Sequence, residues 1–431
     1  MDQEEALSRH LKVLPRWVAL YYSEPIELVS GNGCRVVDSK GVEYLDFFGG
    51  ILTTMTGHRV PEVVDAINEQ AARMIHSSTL YLISPMIELA EEIANLSGIR
   101  DAKVFFTTSG TEANDTALLL ATCFRGSNNA LAVRGSYHGR SLVSMSVTGN
   151  SSYSPSSFYP LNVNFILGGS RLHGPLAGLT DEQYRERGVE DLRDLISNGI
   201  GPNVAALIAE PIQGVGGFNV APDGYFGAIK EVLDEHGILF ISDEVQTGWG
   251  RTGEHFWGYQ AHGLVPDMIT FAKGIGNGMA LAGVISRPDI VDSFKGSSIS
   301  TFGGSPLATA AGLANLRYLL SHDLQGNALR TGSYMMSRLR SELSGSGIVG
   351  DVRGKGLMIG IEIVDRSSRA SSQVITNLIM EEARALGLLI GRGGAEGNVL
   401  RIAPPMSLTF AEAEEGSSSL IAAINAVEGR S

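Results

Sequence analysis

Four uninterrupted apolar runs constrain this chain more than any other feature: AALIAE at 205–210, ILFISD at 238–243, MITFAK at 268–273 and LAGVIS at 281–286. Each is apolar at successive positions rather than alternate ones. As strands they must therefore be buried on both faces, the condition of a parallel sheet covered by helices on each side. Helical stripes lie between and before them. Phe226, Ile229 and Leu233 repeat at helical spacing and stop at Gly237, and a strand at 103–108 leads into a helix at 111–124. On that helix Ala113, Ala117, Leu120, Ala121 and Phe124 share a face. The alternation predicts an α/β fold with a mostly parallel central sheet. No internal repeat, heptad or low-complexity tract competes with it.

At 431 residues the chain exceeds what one core supports, so a large domain with a smaller companion is expected. The pattern changes near Gln325, where a helix carrying Leu329, Met336, Leu339 and Leu343 precedes three short strands at 357–364, 388–392 and 399–403. These predict an α+β small domain, joined by residues 1–60 with their hairpin-like stretch at 34–47, leaving 61–324 as the large domain. Residues 151–175 lack periodicity and are expected to form a long loop over a site. Thr180 and Gln183 form a capping-box pattern that restarts a helix.

Several function classes drop out on composition. Acidic residues number 46 against 33 basic, a net charge of −13 that repels nucleic acid and anionic membranes. Cys34 and Cys123 are the only cysteines and have no metal-ligand spacing, which points to a reducing compartment, the cytoplasm. An acidic start (Asp2, Glu4, Glu5) and the lack of an 18-residue apolar run predict neither leader nor anchor. There is no HExxH or GxSxG, and His138 and His255 read as packing or loop residues rather than ligands of a metal. GDVRGK at 350–355 is one residue short of a P-loop. GSGIVG at 345–350 follows a helix and precedes a strand, the reverse of a dinucleotide site.

The chemistry is written at strand ends. Asp243 closes one buried strand and Lys273 another, and in open α/β sheets the carboxyl ends of strands share a crevice. Alone, either residue would read as a turn cap or a solvated rim charge. Together they suit pyridoxal 5'-phosphate, whose aldehyde takes a lysine amine and whose pyridine nitrogen is kept protonated by a carboxylate. Because strand side chains alternate, only one of Asp243 and Glu244 can face the crevice. A phosphate cradle is offered by TTSGTEAN, where Ser109, Gly110 and Thr111 link a strand to a helix N-terminus; Ser109 and Glu112 also form a capping box. Tyr137, in RGSYHGR, is placed to stack on an aromatic ring.

Ten blocks in order carry a family resemblance: YLDFFGGI (44–51), GH (57–58), SGTEAN (109–114), YHG (137–139), AEPIQG (209–214), DEVQTGWGRTG (243–253), AKGIGNG (272–278), TFGG (301–304), VRGKGLMIGIE (352–362) and RIAPP (401–405). Over nearly its whole length the chain resembles the class-III pyridoxal-phosphate-dependent aminotransferases of fold type I, and within them the alanine–glyoxylate aminotransferase 2 branch. The resemblance implies a ping-pong transaminase using an amino donor and a 2-oxo acid acceptor. It implies that Lys273 forms the Schiff base with the cofactor, that Asp243 pairs with the pyridinium nitrogen and that Gln246 approaches the phenolic oxygen. Tyr137, with its neighbour His138, and Val245 would enclose the ring. Ser109, Gly110 and Thr111 would bind phosphate, with Thr301 reaching over from a second subunit of an obligate homodimer, dimer or tetramer being left open. Arg401 would hold the substrate carboxylate, Glu210 would neutralise Arg401 when no carboxylate is there, and Tyr21, Gly50 and Ile51 would shape the pocket. Rival reactions on the same scaffold are a phospho-lyase acting on phosphorylated amino alcohols, a racemase and a decarboxylase; Arg401 favours transamination. A non-catalytic binding protein is disfavoured by the intact Lys273, Asp243, Gln246 and Arg401.

Overall fold

The computed structural model describes residues 3–430. At its centre is a seven-stranded sheet: β1 (Lys103–Thr107), β2 (Asn129–Val133), β3 (Asn162–Ile166), β4 (Ala206–Ala209), β5 (Leu239–Asp243), β6 (Met268–Phe271) and β7 (Ala282–Ser286), in the order β1-β7-β6-β5-β4-β2-β3. The predicted burial on both faces is present. Ala206, Ile208, Leu239 and Ile241 join a core with the helix Gly110–Arg125, while Leu207, Ala209 and Phe240 face the opposite core with the helix Tyr225–Glu235. The fold is α/β, as expected.

Two strands depart from expectation. β7, read as parallel, runs antiparallel to both β6 and β1. The connection 272–281 is too short for the crossover that a parallel return needs, so the chain turns directly back and presents Lys273 at the turn. β3 lies inside the stretch read as loop and forms the sheet edge, parallel to β2. Its sequence NVNFI alternates polar and apolar, the pattern of a half-covered edge, and its flanking Ser, Pro and Gly residues obscured it. The helix Asp181–Asp194 starts at Thr180 with the complete capping box.

The two terminal segments meet. Strands Leu28–Asn32, Arg35–Asp38 and Glu43–Asp46 form an antiparallel sheet whose fourth member, Leu388–Leu389, pairs in parallel with Glu43–Asp46. The single strand expected at 388–392 divides at Ile390. Its second half, Gly391–Gly393, pairs instead with Val399–Ile402 in a sheet that also contains Met358–Ile363 and the unpredicted Val349–Lys355. The helix Leu324–Glu342 buries Leu339, with Leu343 buried just beyond it as expected, whereas Leu329 is 39% exposed and Met335 rather than Met336 is fully buried. Among the described residues no helix is long and apolar enough to cross a membrane.

Candidate active site

The carboxyl ends of β1, β2, β4, β5 and β6 converge on a cavity of about 380 Å³. Ten of the residues singled out from sequence line it. They are Ser109, Gly110, Thr111, Tyr137, His138, Glu210, Asp243, Val245, Gln246 and Lys273. β1 delivers Ser109 as an extended N-cap whose Oγ accepts from Glu112 N at 3.2 Å, but the expected capping box is only half made, since Glu112 Oε2 accepts from Thr108 N at 2.8 Å rather than from Ser109 N. Capping spends the Ser109 oxygen but leaves the first-turn N–H groups of Gly110 and Thr111 without intrahelical partners, aimed at the cavity end with the positive helix dipole. The space before them depends on absent side chains. A Cβ on Gly139 would lie 2.7 Å from Thr111 Oγ1, and one on Gly110 would lie 3.2 Å from the Val245 methyls.

Asp243 is held from three directions. Asn114 Nδ2 donates to its Oδ2 at 2.8 Å, His138 Nδ1 donates to the same oxygen at 2.7 Å, and Val245 N donates to Oδ1 at 3.1 Å. A carboxylate oxygen only accepts, so His138 Nδ1 is the donor in this contact, while its Nε2 is buried without a partner. Asn114 also donates to the His138 carbonyl at 2.7 Å, locking the trio. Glu244 points away, as alternation requires, and accepts from Gly258 N, Tyr259 N and Ser242 Oγ at 2.8–3.1 Å, a packing role.

Lys273 adopts a left-handed φ of 50°, costly for a side chain with a Cβ and found where surrounding structure enforces it. Burial, with the Arg401 charge adding to it, brings its ammonium from 10.5 down to about 8, Asp243 and Glu210 opposing. Glu210 accepts from Tyr137 N at 2.9 Å and Gly214 N at 2.8 Å, and burial lifts it to about 7. The expected Glu210–Arg401 pair is not formed. Arg401 instead donates from Nη2 to Gln246 Oε1 at 2.7 Å, one residue outside the cavity lining.

Besides Arg401, four expected residues do not line the cavity. Tyr21 stacks on Phe48, with ring centroids 6.1 Å apart. Gly50 and Ile51 sit in a left-handed stretch, Ile51 is largely exposed, and Thr53 lines the cavity in their place. Thr301 is exposed on the surface of the chain. Asn114 was missed as an individual site residue; its signal was a polar side chain on the buried face between Ala113 and Ala117.

The residues present fit pyridoxal phosphate. A deprotonation-prone amine, a carboxylate fixed by donors and an open helix N-terminus stand around one cavity, with glycines clearing the phosphate end. Known proteins agree. The family described as aminotransferase class-III matches residues 21–424. The mitochondrial alanine–glyoxylate aminotransferase 2 homolog 2 of Arabidopsis thaliana is 40% identical over 95% of this chain and 84% of its own length. A thermostable (S)-enantioselective omega-transaminase from Thermomicrobium roseum superposes with a TM-score of 0.90 at 33% identity, covering 99% of both chains. A phospholyase from Arthrobacter, solved with phosphoethanolamine, gives 0.88 at 32% identity, covering 97% of this chain and 99% of its own.

Proposed function

Because the chain belongs to the class-III aminotransferases, enzymes dependent on pyridoxal phosphate, we propose that it transfers the amino group of alanine or a β- or ω-amino acid to a 2-oxo acid, pyruvate or glyoxylate, in ping-pong order. The observation that carries this choice of substrates is Arg401, a buried guanidinium bonded to Gln246 at the margin of the cavity that holds Lys273 and Asp243.

When bound, the cofactor supplies an aldehyde that captures amines and a ring that withdraws electrons from the substrate's Cα. Lys273 would hold the aldehyde end, Asp243 the ring nitrogen, Tyr137 and Val245 the ring faces, Gln246 the phenolic oxygen, and Ser109, Gly110 and Thr111 the phosphate. Asp243 keeps its negative charge in place because His138 and Asn114 prevent it from turning away. Lys273, its pKa brought down to about 8 by burial, is placed to take the donor's Cα proton. Arg401 orients the carboxylate by in-plane N–H donation. Glu210, bonded to Tyr137 N and Gly214 N rather than to Arg401, acts on that cation only through space.

A second copy completing the site is part of the same proposal. Leu80, Tyr81 and Leu82 are 71–92% exposed, Ile299 and Phe302 flank Thr301, and a His76–Phe302 ring contact at 5.1 Å brings both segments onto one face. The division into 61–324 and a small domain of both termini is supported by the Glu43–Asp46 pairing with Leu388–Leu389. A reducing, cytoplasmic setting is supported by the unpaired Cys34 and Cys123.

The likeness to a phospholyase favours one rival. Incubating purified protein with single donors and no acceptor separates the two. Alanine or an ω-amino acid should bleach the cofactor's long-wavelength absorbance and yield an oxo acid. Inert carboxylated amines with phosphate release from phosphoethanolamine would establish the lyase instead.

A further inference from the structure

Arg401 is built into a column of rings. Its guanidinium carbon lies over two rings, 4.7 Å from the Phe218 centroid and 5.2 Å from that of Phe48, and Tyr21 stacks on Phe48 at an interplanar angle of 22°. The column is made at a visible conformational cost. Phe218 is fully buried and holds a left-handed φ of 52°, which places its ring under the guanidinium. Glycines clear room for the other members. A Cβ on Gly391 would lie 2.1 Å from the Phe48 ring, and one on Gly393 would lie 2.5 Å from Arg401 Cδ.

With its carbon over two ring faces, the guanidinium offers ligands the N–H groups that the rings leave uncovered. One N–H goes to Gln246, Nε has no partner, and among the described residues no ion pair to Arg401 is formed. A buried cation with no direct ion-pair partner is stabilised most by an anion that reaches its free N–H groups. The rings also oppose withdrawal of the side chain, since leaving would forfeit two cation–π contacts and open a void beside Phe218.

We propose that Phe48 and Phe218 are positioning residues that fix Arg401 as a permanent carboxylate receptor, restricting the enzyme to carboxylate-bearing donors and acceptors and excluding simple amines. This rests on the transaminase reading and narrows its substrate class. Gln246 shares the guanidinium edge, so an arriving carboxylate competes with it for the Nη2 proton while the ring column keeps the cation where it is.

The test compares the holoenzyme with Phe218→Leu, Phe218→Tyr and Phe48→Leu, using alanine and 1-phenylethylamine as donors and calorimetry with propionate as a binding readout. Wild type should turn over alanine and leave 1-phenylethylamine nearly untouched. Phe218→Leu should raise the KM for alanine and the Kd for propionate together by about tenfold, with kcat within about twofold, and should admit the amine; Phe218→Tyr, which keeps the ring face, should restore both constants. Phe48→Leu, at a partly exposed ring, carries the test if the buried Phe218→Leu does not fold. The inference is overturned if wild type uses 1-phenylethylamine as readily as alanine, or if folded variants keep wild-type KM and Kd. If carboxylated amines never react and phosphoethanolamine loses phosphate, the transaminase reading itself falls. Reaction with alanine but unmoved variants removes only the role of the rings.

Discussion

Lys273 owes its reactivity to where it is placed. Its amine captures an aldehyde only when unprotonated, and burial brings that condition down to about pH 8. In cofactor-free protein, the rate of pyridoxal phosphate uptake should therefore climb with pH and level off above about 8, rather than rising toward the ordinary lysine value of 10.5; stopped-flow absorbance reads it directly. Linkage gives a second sign. Between about pH 8 and 10.5 the unfolded chain holds a proton that folded Lys273 has released, so the cofactor-free fold gains stability as pH rises through that window. Glu210 works oppositely: its folded form retains a proton from 4.5 up to about 7, so its contribution is lost as pH rises across that range. Lys273→Ala should abolish turnover. Asp243→Asn should retain some cofactor while losing most Cα proton abstraction, seen as slow or absent exchange of the donor's α-hydrogen with deuterated solvent.

At the scale of elements, the strand-to-helix joint at Ser109 carries two functions that substitution can separate. Ser109→Ala removes the N-cap acceptor and should cost about 1 kcal/mol in a denaturation experiment. Gly139→Ala leaves the cap alone but drives a methyl into Thr111 and Ser144 at a φ of 142°, and should weaken cofactor retention, measured by equilibrium dialysis, more than it weakens the fold. How legible these elements were depended on burial. Continuous runs such as ILFISD showed β5 because both faces are covered, and the residues at their ends led directly to Asp243 and Lys273. The direction of β7 was not legible from its apolarity, since a strand buried on both faces looks alike either way; only the short connection 272–281 decides it. The division at Ile390 and the Arg401–Gln246 bond were hidden for another reason. Each is a choice among partners distant in sequence, and composition at 388–393 does not state which of two sheets a residue joins.

For the whole molecule, the apolar face at 74–82 and 299–302 should be covered by a second copy. Leu82→Asp, at a side chain 92% exposed in the single chain, should shift sedimentation equilibrium toward monomer and reduce activity together, because Thr301 would no longer reach a neighbouring site. An unchanged oligomer with full activity would remove this face from the assembly. The pairing of Glu43–Asp46 with Leu388–Leu389 has a further consequence, one for synthesis on the ribosome. The N-terminal strands emerge first, yet their last neighbour follows about 340 residues later, some 20–70 s at translation rates of about 5–20 residues per second. Through that interval Glu43–Asp46 is a nascent strand with an open edge, a template for mispairing with other chains and a natural resting place for a chaperone.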